Sequence, residues 1–166
     1  VRKWLALGVD GIRVDAVKHM SLGWQKNWLS AIYSYKPVFV FGEWFNNGTA
    51  VNSDMKTFAN ESGMSLLDFN FSNALRNAFE KLKSIVSVTG ANYEEVNDQV
   101  TFIDNHDMSR FMTLSNNDQR DVENAYVILL TSRGIPTIYY GSEQYAKGEK
   151  DPYNRGDMPS FDTNST

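Results

Sequence analysis

The chain has 166 residues, 42% of them hydrophobic and 22% charged, with a formal net charge of −4 at pH 7. That is the composition of one globular domain. The acidic balance, with no Lys/Arg cluster, speaks against nucleic acid or an anionic membrane as partner. Cysteine is absent, which excludes disulfides and thiolate metal sites but leaves the compartment open. No apolar run approaches the length of a membrane span.

Residues 1–7 place Trp4, Leu5 and Leu7 on a helical face, and Gly8 suits the left-handed residue that ends a helix. The chain opens as if inside a helix, with no signal peptide, so the expectation is an internal piece of a longer protein. A strand is predicted at Gly11–Val14. Ser21 is the N-cap of a helix in which Trp24, Trp28 and Ile32 recur every four residues beside Leu29. Pro37 bars helix continuation, and Val38–Phe41 reads as the second strand. Residues 46–54, rich in Asn, Gly and Ser, read as a loop.

Met64–Phe69 is predicted as the third strand, followed by a helix whose face is Ala74, Leu75, Ala78, Phe79 and Leu82. Residues 84–92 read as loop and Tyr93–Asn97 as a short helical turn. The fourth strand is Val100–Ile103. Asp121 to Ser132 is predicted as a helix on the spacing of Val122, Ala125, Tyr126 and Leu129. Gly134 closes it, and Ile135–Tyr140 is the fifth strand. The tail from Gly141 onward is polar and turn-rich, with no regular structure assigned.

Five strands alternating with helices, their starts roughly 30 residues apart, argue for parallel βαβ units. A doubly wound sheet and a (β/α)8 barrel both give that alternation. Polar residues at several strand tips favour the barrel, whose catalytic groups come from the C-terminal ends of its strands. Five strands are too few to close one, so the expected fold is an incomplete (β/α)8 barrel with two open edges.

The strand tips carry the chemistry. Asp15 ends the first strand, Glu43 the second, and Asp104, Asn105, His106 and Asp107 the fourth. Adjacent strands lie about 4.8 Å apart, which allows Asp15 and Glu43 the roughly 5 Å separation of a retaining glycosidase pair. Arg13, two residues before Asp15, points to the same face and would keep Asp15 ionised, as a nucleophile requires. Trp44 and Phe45 flank Glu43 and would raise its pKa towards that of a usable acid. Asp107 could hold sugar hydroxyls on a distorted ring. The competing reading makes Asp15 only the N-cap of the next helix. On the residues alone, Phe45 could equally be core filler, Lys18 a solvated charge, and His19 a packed or capping group. Asp151–Arg155 reads as a surface turn with an ion pair.

Three segments carry a resemblance: Gly11-Ile12-Arg13-Val14-Asp15-Ala16-Val17-Lys18-His19, Gly42-Glu43-Trp44-Phe45, and Phe102-Ile103-Asp104-Asn105-His106-Asp107. In order and spacing they resemble sequence regions of the α-amylase family of glycoside hydrolases. Within it, Trp44-Phe45, Ser21-Leu22-Gly23-Trp24-Gln25-Lys26 and the run Phe58 to Phe69 are similar to the cyclodextrin glucanotransferase subfamily. The resemblance implies that residues 1–166 are strands four to eight of a catalytic barrel, with strands one to three and later domains outside the chain. It makes Asp15 the nucleophile, Glu43 the general acid/base and Asp107 the transition-state stabiliser, with Arg13 and His106 as partners.

The resemblance also implies that Lys18 and Phe45 meet the acceptor sugar and that Asp151 and Arg155 meet the donor side. The His19 backbone carbonyl would be one ligand of a structural Ca²⁺ whose other ligands lie outside the chain. The implied reaction is retaining cleavage of α-1,4-glucans such as starch, with transfer to a sugar end, including cyclisation to cyclodextrins. Starch, maltooligosaccharides and cyclodextrins are the implied partners, with a secreted, monomeric parent enzyme. The isolated residues are expected to be inactive. An α-amylase or maltogenic amylase is the close alternative, and a non-catalytic amylase-like binding domain a more distant one.

Overall fold

The computed structural model describes residues 1–46, 50–81 and 93–161. Its frame is five parallel strands: β1 (Gly11–Val14), β2 (Phe39–Gly42), β3 (Ser65–Leu66), β4 (Val100–Phe102) and β5 (Ile135–Thr137). They pair strictly in chain order. β1 meets β2 in the register Val14↔Gly42, β2 meets β3 at Gly42↔Leu66, and β4 meets β5 at Phe102↔Thr137. Among the described residues a single parallel bridge, Leu67↔Val100, joins the two sheets. A doubly wound sheet would reverse its strand order at a switch point. Among the described residues there is no reversal, which decides for barrel-type winding.

The connecting helices are α1 (Arg2–Ala6), α2 (Leu22–Tyr35), α3 (Ser53–Glu61), α4 (Phe69–Glu80), α5 (Phe111–Leu114) and α6 (Gln119–Thr131). Their starts follow capping chemistry. Ser21 accepts from the Trp24 N–H at the head of α2, Asn52 from Met55 at α3, and Asp68 from Phe71 at α4. The Asp68 cap shortens the third strand. The chain turns at Leu67, so Phe69, expected in a strand, opens a helix. The Asn52 cap likewise puts Ser53 and Asp54, read as loop, into the first turn of α3. Asp118 accepts from the Arg120 N–H, which starts α6 at Gln119 rather than Asp121.

β5 stops at Thr137, short of Tyr140, because its partner β4 ends at Phe102. Among its described residues the tail contains two short 3₁₀ turns, Ser142–Gln144 and Tyr153–Arg155. A third, Val96–Asp98, stands where a helical turn was expected. The loop reading of 84–92, the Leu82 position and residues 47–48 beside Phe45 lie outside the described residues.

The expected face of α6 buries Val122, Ala125 and Leu129. By contrast, α4 buries Phe71, Ser72, Leu75 and Arg76, so that Leu75 is inside and Ala74 and Phe79 of its expected face are only partly buried. Phe71, Leu75, Ile103, Phe111, Met112, Val122, Ala125 and Leu129 form one cluster between α4, α5 and α6. A second cluster packs α2 and α3 on the first three strands. The first helix departs from expectation: Leu5 is buried, but Trp4 and Leu7 are exposed. In α2 the buried face is Gln25, Leu29 and Ile32, with Trp24 stacked outside on Trp28. Gln25 is buried because its amide donates to the Val17 and Met20 carbonyls, at 2.9 and 3.0 Å, and so holds the turn after β1. Among the described residues no helix is long and apolar enough to cross a membrane.

Candidate active site

The register of β1 against β2 sets Asp15 and Glu43 side by side, since Val14 pairs with Gly42 and each acid follows at the strand tip. The backbone then locks the two tips. The Glu43 N–H donates to the Val14 carbonyl at 2.8 Å, and the Val17 N–H donates to the Glu43 carbonyl at 3.0 Å. Gly42 permits this approach: a Cβ there would lie 2.8 Å from a Val17 methyl. Ala16 takes a left-handed conformation (φ 48°), turning the chain so that its N–H reaches Glu43 Oε2 at 3.5 Å. Such a backbone conformation in a non-glycine residue is uncommon and clusters at functional sites.

One guanidinium serves both acids. Arg13 Nη1 donates to Asp15 Oδ1 at 2.5 Å, and Nη2 lies 2.9 Å from Glu43 Oε1. The Arg13 hydrogen bond is the main reason that the Asp15 carboxyl is held below its usual range. A hydrogen bond shared with Glu43 and the positive charge of Arg13 follow as lesser causes. The helix-capping alternative for Asp15 fails, because the turn Val17–His19 has Ala16 at its head and no side-chain cap. Glu43 is buried, with 6% exposure. Its surroundings differ from the apolar setting expected: Trp44 packs on Phe58 and Phe45 edge-on against Phe69, while Arg13 and the Ala16 N–H meet the carboxyl.

Asp107 is presented by an Asx-type turn in which Asn105 Oδ1 accepts the Asp107 N–H at 2.9 Å. Its carboxylate is gripped from two sides: Arg155 Nη2 lies 3.0 Å from Oδ1 and His106 Nε2 3.3 Å from Oδ2. Arg155 also donates Nε to the His106 carbonyl and pairs with Asp151 at 3.2 Å. The expected surface ion pair is therefore present, but it reaches into the site. The two halves meet as well. Glu43, His106 and Asp107 each place a ligand-type atom within 4.8 Å of the others.

Lys18 and Phe45 are also brought together. Lys18 Nζ donates to the Phe45 carbonyl at 2.7 Å and stands 5.9 Å from its ring centre. Lys18 is thus not simply a solvated charge; it ties the turn after β1 to the segment after β2. His19 ends its 3₁₀ turn outside the three-residue cluster above. A calcium ion needs six or more oxygens. The His19 carbonyl supplies one, so these residues alone do not fit a calcium site.

The sequence reading missed a buried layer beneath Asp107. Asp104 accepts from Arg76 Nη1 at 3.1 Å, Ser142 Oγ at 2.8 Å and the Phe111 N–H at 2.7 Å. Arg110 donates to the Asn154 carbonyl, the Tyr140 carbonyl and Ser142 Oγ, and its guanidinium lies over Tyr139 and Tyr140. Arg76, Asp104, Arg110, Ser142 and Asn154 are buried, and only Asp104, three residues before Asp107 at the same strand tip, carried a signal in the sequence.

Sequential parallel strands that end in a paired Asp and Glu, with a third acid gripped by Arg and His, have the layout of a barrel active site, whose polar groups come from the C-terminal ends of several strands. The chain belongs to the α-amylase catalytic-domain family, whose description (Alpha amylase, catalytic domain) matches residues 1–164. Over its whole length the chain is 58% identical to a cyclomaltodextrin glucanotransferase of Bacillus licheniformis, covering 24% of that protein. It is 57% identical to an α-amylase of Niallia circulans, covering 33%. The crystal structure of a γ-CGTase from alkalophilic Bacillus clarkii superposes with a TM-score of 0.88 at 46% identity, over 98% of this chain and 25% of that one. The chain thus spans about a quarter of the length of the glucanotransferases it matches.

Proposed function

We propose that residues 1–166 are strands four to eight of the catalytic barrel of a cyclodextrin glucanotransferase, acting on starch and other α-1,4-glucans. The observation that carries the chemistry is the single guanidinium of Arg13 shared between Asp15 and Glu43. Asp15, held ionised, attacks the anomeric carbon as Glu43 gives a proton to the leaving glycosidic oxygen. The result is a covalent glycosyl-enzyme with one glucan segment released. Glu43 then takes the proton from the hydroxyl of an incoming sugar, which displaces Asp15 and restores the α-linkage. Asp107, fixed by Arg155 and His106, binds ring hydroxyls more tightly as the sugar flattens. Asp151 and Arg155 meet the donor glucan, and Lys18 and Phe45 the acceptor.

Transfer is favoured over hydrolysis because Phe45 offers a ring beside Glu43 on which an acceptor sugar can stack before water reacts. The 58% identity to a glucanotransferase supports this reading. The near-equal 57% identity to an α-amylase keeps hydrolysis as the second reading. The intact Asp15, Glu43 and Asp107 argue against a non-catalytic binding domain. Incubating the full-length protein with starch and separating the products by chromatography decides between the first two. Cyclic products are expected alongside maltooligosaccharides, and linear sugars alone would make it a hydrolase. Phe45→Leu should lower the ratio of cyclodextrin formed to reducing sugar released by roughly two- to tenfold, the stacking contribution of one ring.

The proposal extends to the setting. A monomeric enzyme secreted to the outside suits a polymer too large to enter a cell. A structural Ca²⁺ would take its remaining oxygens from outside this chain, beside the His19 carbonyl. The depressed pKa of Asp15 also makes a prediction. As pH falls, the nucleophile is lost only when Asp15 protonates, so the acid limb of kcat/KM should lie below the ordinary aspartate value of 3.8. Arg13→Leu removes the main cause of that depression and should move the limb upward. An unmoved pH profile in the variant would show that another group sets it.

A further inference from the structure

The turn that meets the donor glucan and the loop that carries Asp107 are joined by one buried side chain. Asn154 is 2% exposed. Its Nδ2 donates to two carbonyls, those of His106 and Met108, each at 2.9 Å. These are the residues on either side of Asp107. Two carbonyl acceptors fix the amide's orientation, and Asn154 Oδ1 has no donor among the described residues. All the side chain's hydrogen bonding is therefore donation into the Asp107 loop. The backbone of Asn154 is held in turn: its carbonyl accepts Arg110 Nε at 2.9 Å and its N–H donates to the Lys150 carbonyl at 3.1 Å. The Arg110 N–H donates to the Gly148 carbonyl at 2.8 Å, a second tie between the same two loops.

Asp107 itself is a third exposed on its side chain, and no regular element carries it. Something must fix its position to the few tenths of an ångström that stabilising a distorted sugar requires. Arg155 grips the carboxylate, but it is itself half exposed and divides its guanidinium between Asp107 and Asp151. Asn154 grips the backbone from the buried side. Serine in its place offers one donor instead of two, and aspartate turns carboxylate oxygens towards two carbonyl oxygens.

Resting on the function proposed above, we infer that Asn154 is a positioning residue for Asp107, setting its place in the site through the His106 and Met108 carbonyls. The inference concerns the full-length enzyme and transfer to and from α-glucans.

In that enzyme, N154S should lower kcat on starch by about a hundredfold, the usual effect of an ångström-scale displacement. KM should change by less than about threefold, because ground-state binding is shared over many sugar contacts. The decisive readout is coupling, measured as fluoride release from α-maltotriosyl fluoride. In a D107N background, N154S should cost less than about threefold more, since a residue acting through Asp107 has nothing left to position. Losses that multiply fully in the two backgrounds would make Asn154 a general structural residue and overturn the inference, as would a native kcat in N154S. Should N154S melt far below the native enzyme, N154D, identical in shape, carries the same comparison. Native enzyme unable to cleave starch would overturn the proposed function itself; active native enzyme with multiplying losses overturns this inference alone.

Discussion

Glu43→Gln in the full-length enzyme should lower kcat on starch by between about a hundredfold and ten-thousandfold, the range that proton transfer by a positioned side chain contributes. The amide keeps the shape of the carboxyl. It can still accept the Ala16 N–H and lie against Arg13, so the site's packing at 6% exposure is preserved. What is lost is the proton that the leaving oxygen needs. This makes the outcome depend on the leaving group. A glucosyl oxygen leaves poorly without protonation, whereas fluoride leaves without it. The variant should therefore still release fluoride from an α-maltosyl fluoride in its first turnover at a rate near native, then stall because no base activates the acceptor hydroxyl. Asp15→Asn has no nucleophile for either substrate and should lose both reactions. Equal losses on starch and fluoride in the Glu43 variant would remove Glu43 from the acid's role, and unchanged activity on starch would remove it from the site.

These acids could be found in the sequence because barrel strands end abruptly in polar residues. Asp15 and Glu43 each follow an apolar run, and Arg13 shares the face of Asp15 by simple alternation along the strand. β1 was readable residue for residue for the same reason. β3 was not: Met64–Phe69 has the composition of a strand, but the Asp68 cap bends the chain into α4. Local propensity and a capping side chain competed there, and the cap won. α3 was obscured because its opening Asn, Ser and Asp are also loop residues. The layer under Asp107 was unreadable for a different reason. Asp104 finds Arg76 at a separation of 28 residues, and Asn154 finds His106 at 48. Neither partner leaves a periodic or motif signal, so a buried Asp or Asn beside a catalytic loop looks like one more turn residue until the fold brings its partner in. The acids proposed to meet substrate stand out at the strand tips; the groups that hold them still do not.

That hidden layer also carries the largest expected effect on stability. Arg76 and Asp104 are both buried, and burial works against the charged form of each, lowering the Arg76 pKa and raising that of Asp104. Each is the other's main electrostatic support, at 3.1 Å, and Arg76 further donates to the Ile103 carbonyl and to both oxygens of Ser109. Arg76→Met leaves Asp104 with Ser142 Oγ and the Phe111 N–H but no countercharge among its hydrogen-bond partners. Removing one partner of such a pair costs about 3–5 kcal/mol, because the charge left behind stays desolvated. For a domain of barrel size that corresponds to a fall of roughly 10 °C in the Tm of the catalytic domain, read by calorimetry on the full-length enzyme. The double variant Arg76→Met, Asp104→Leu removes both charges and should recover much of that loss, since an apolar pair of similar volume in a buried site is often no worse than the ions. This recovery separates an ion pair from simple packing: if Arg76 mattered only for the space it fills, the second substitution would add a further loss. A single variant melting within a degree or two of native would show that the pair does not hold the fold. Because Asp104 and Ser109 bracket the segment that carries Asp107, the single variant should also lose kcat on starch at temperatures where it is still fully folded, while the double variant regains stability without regaining rate.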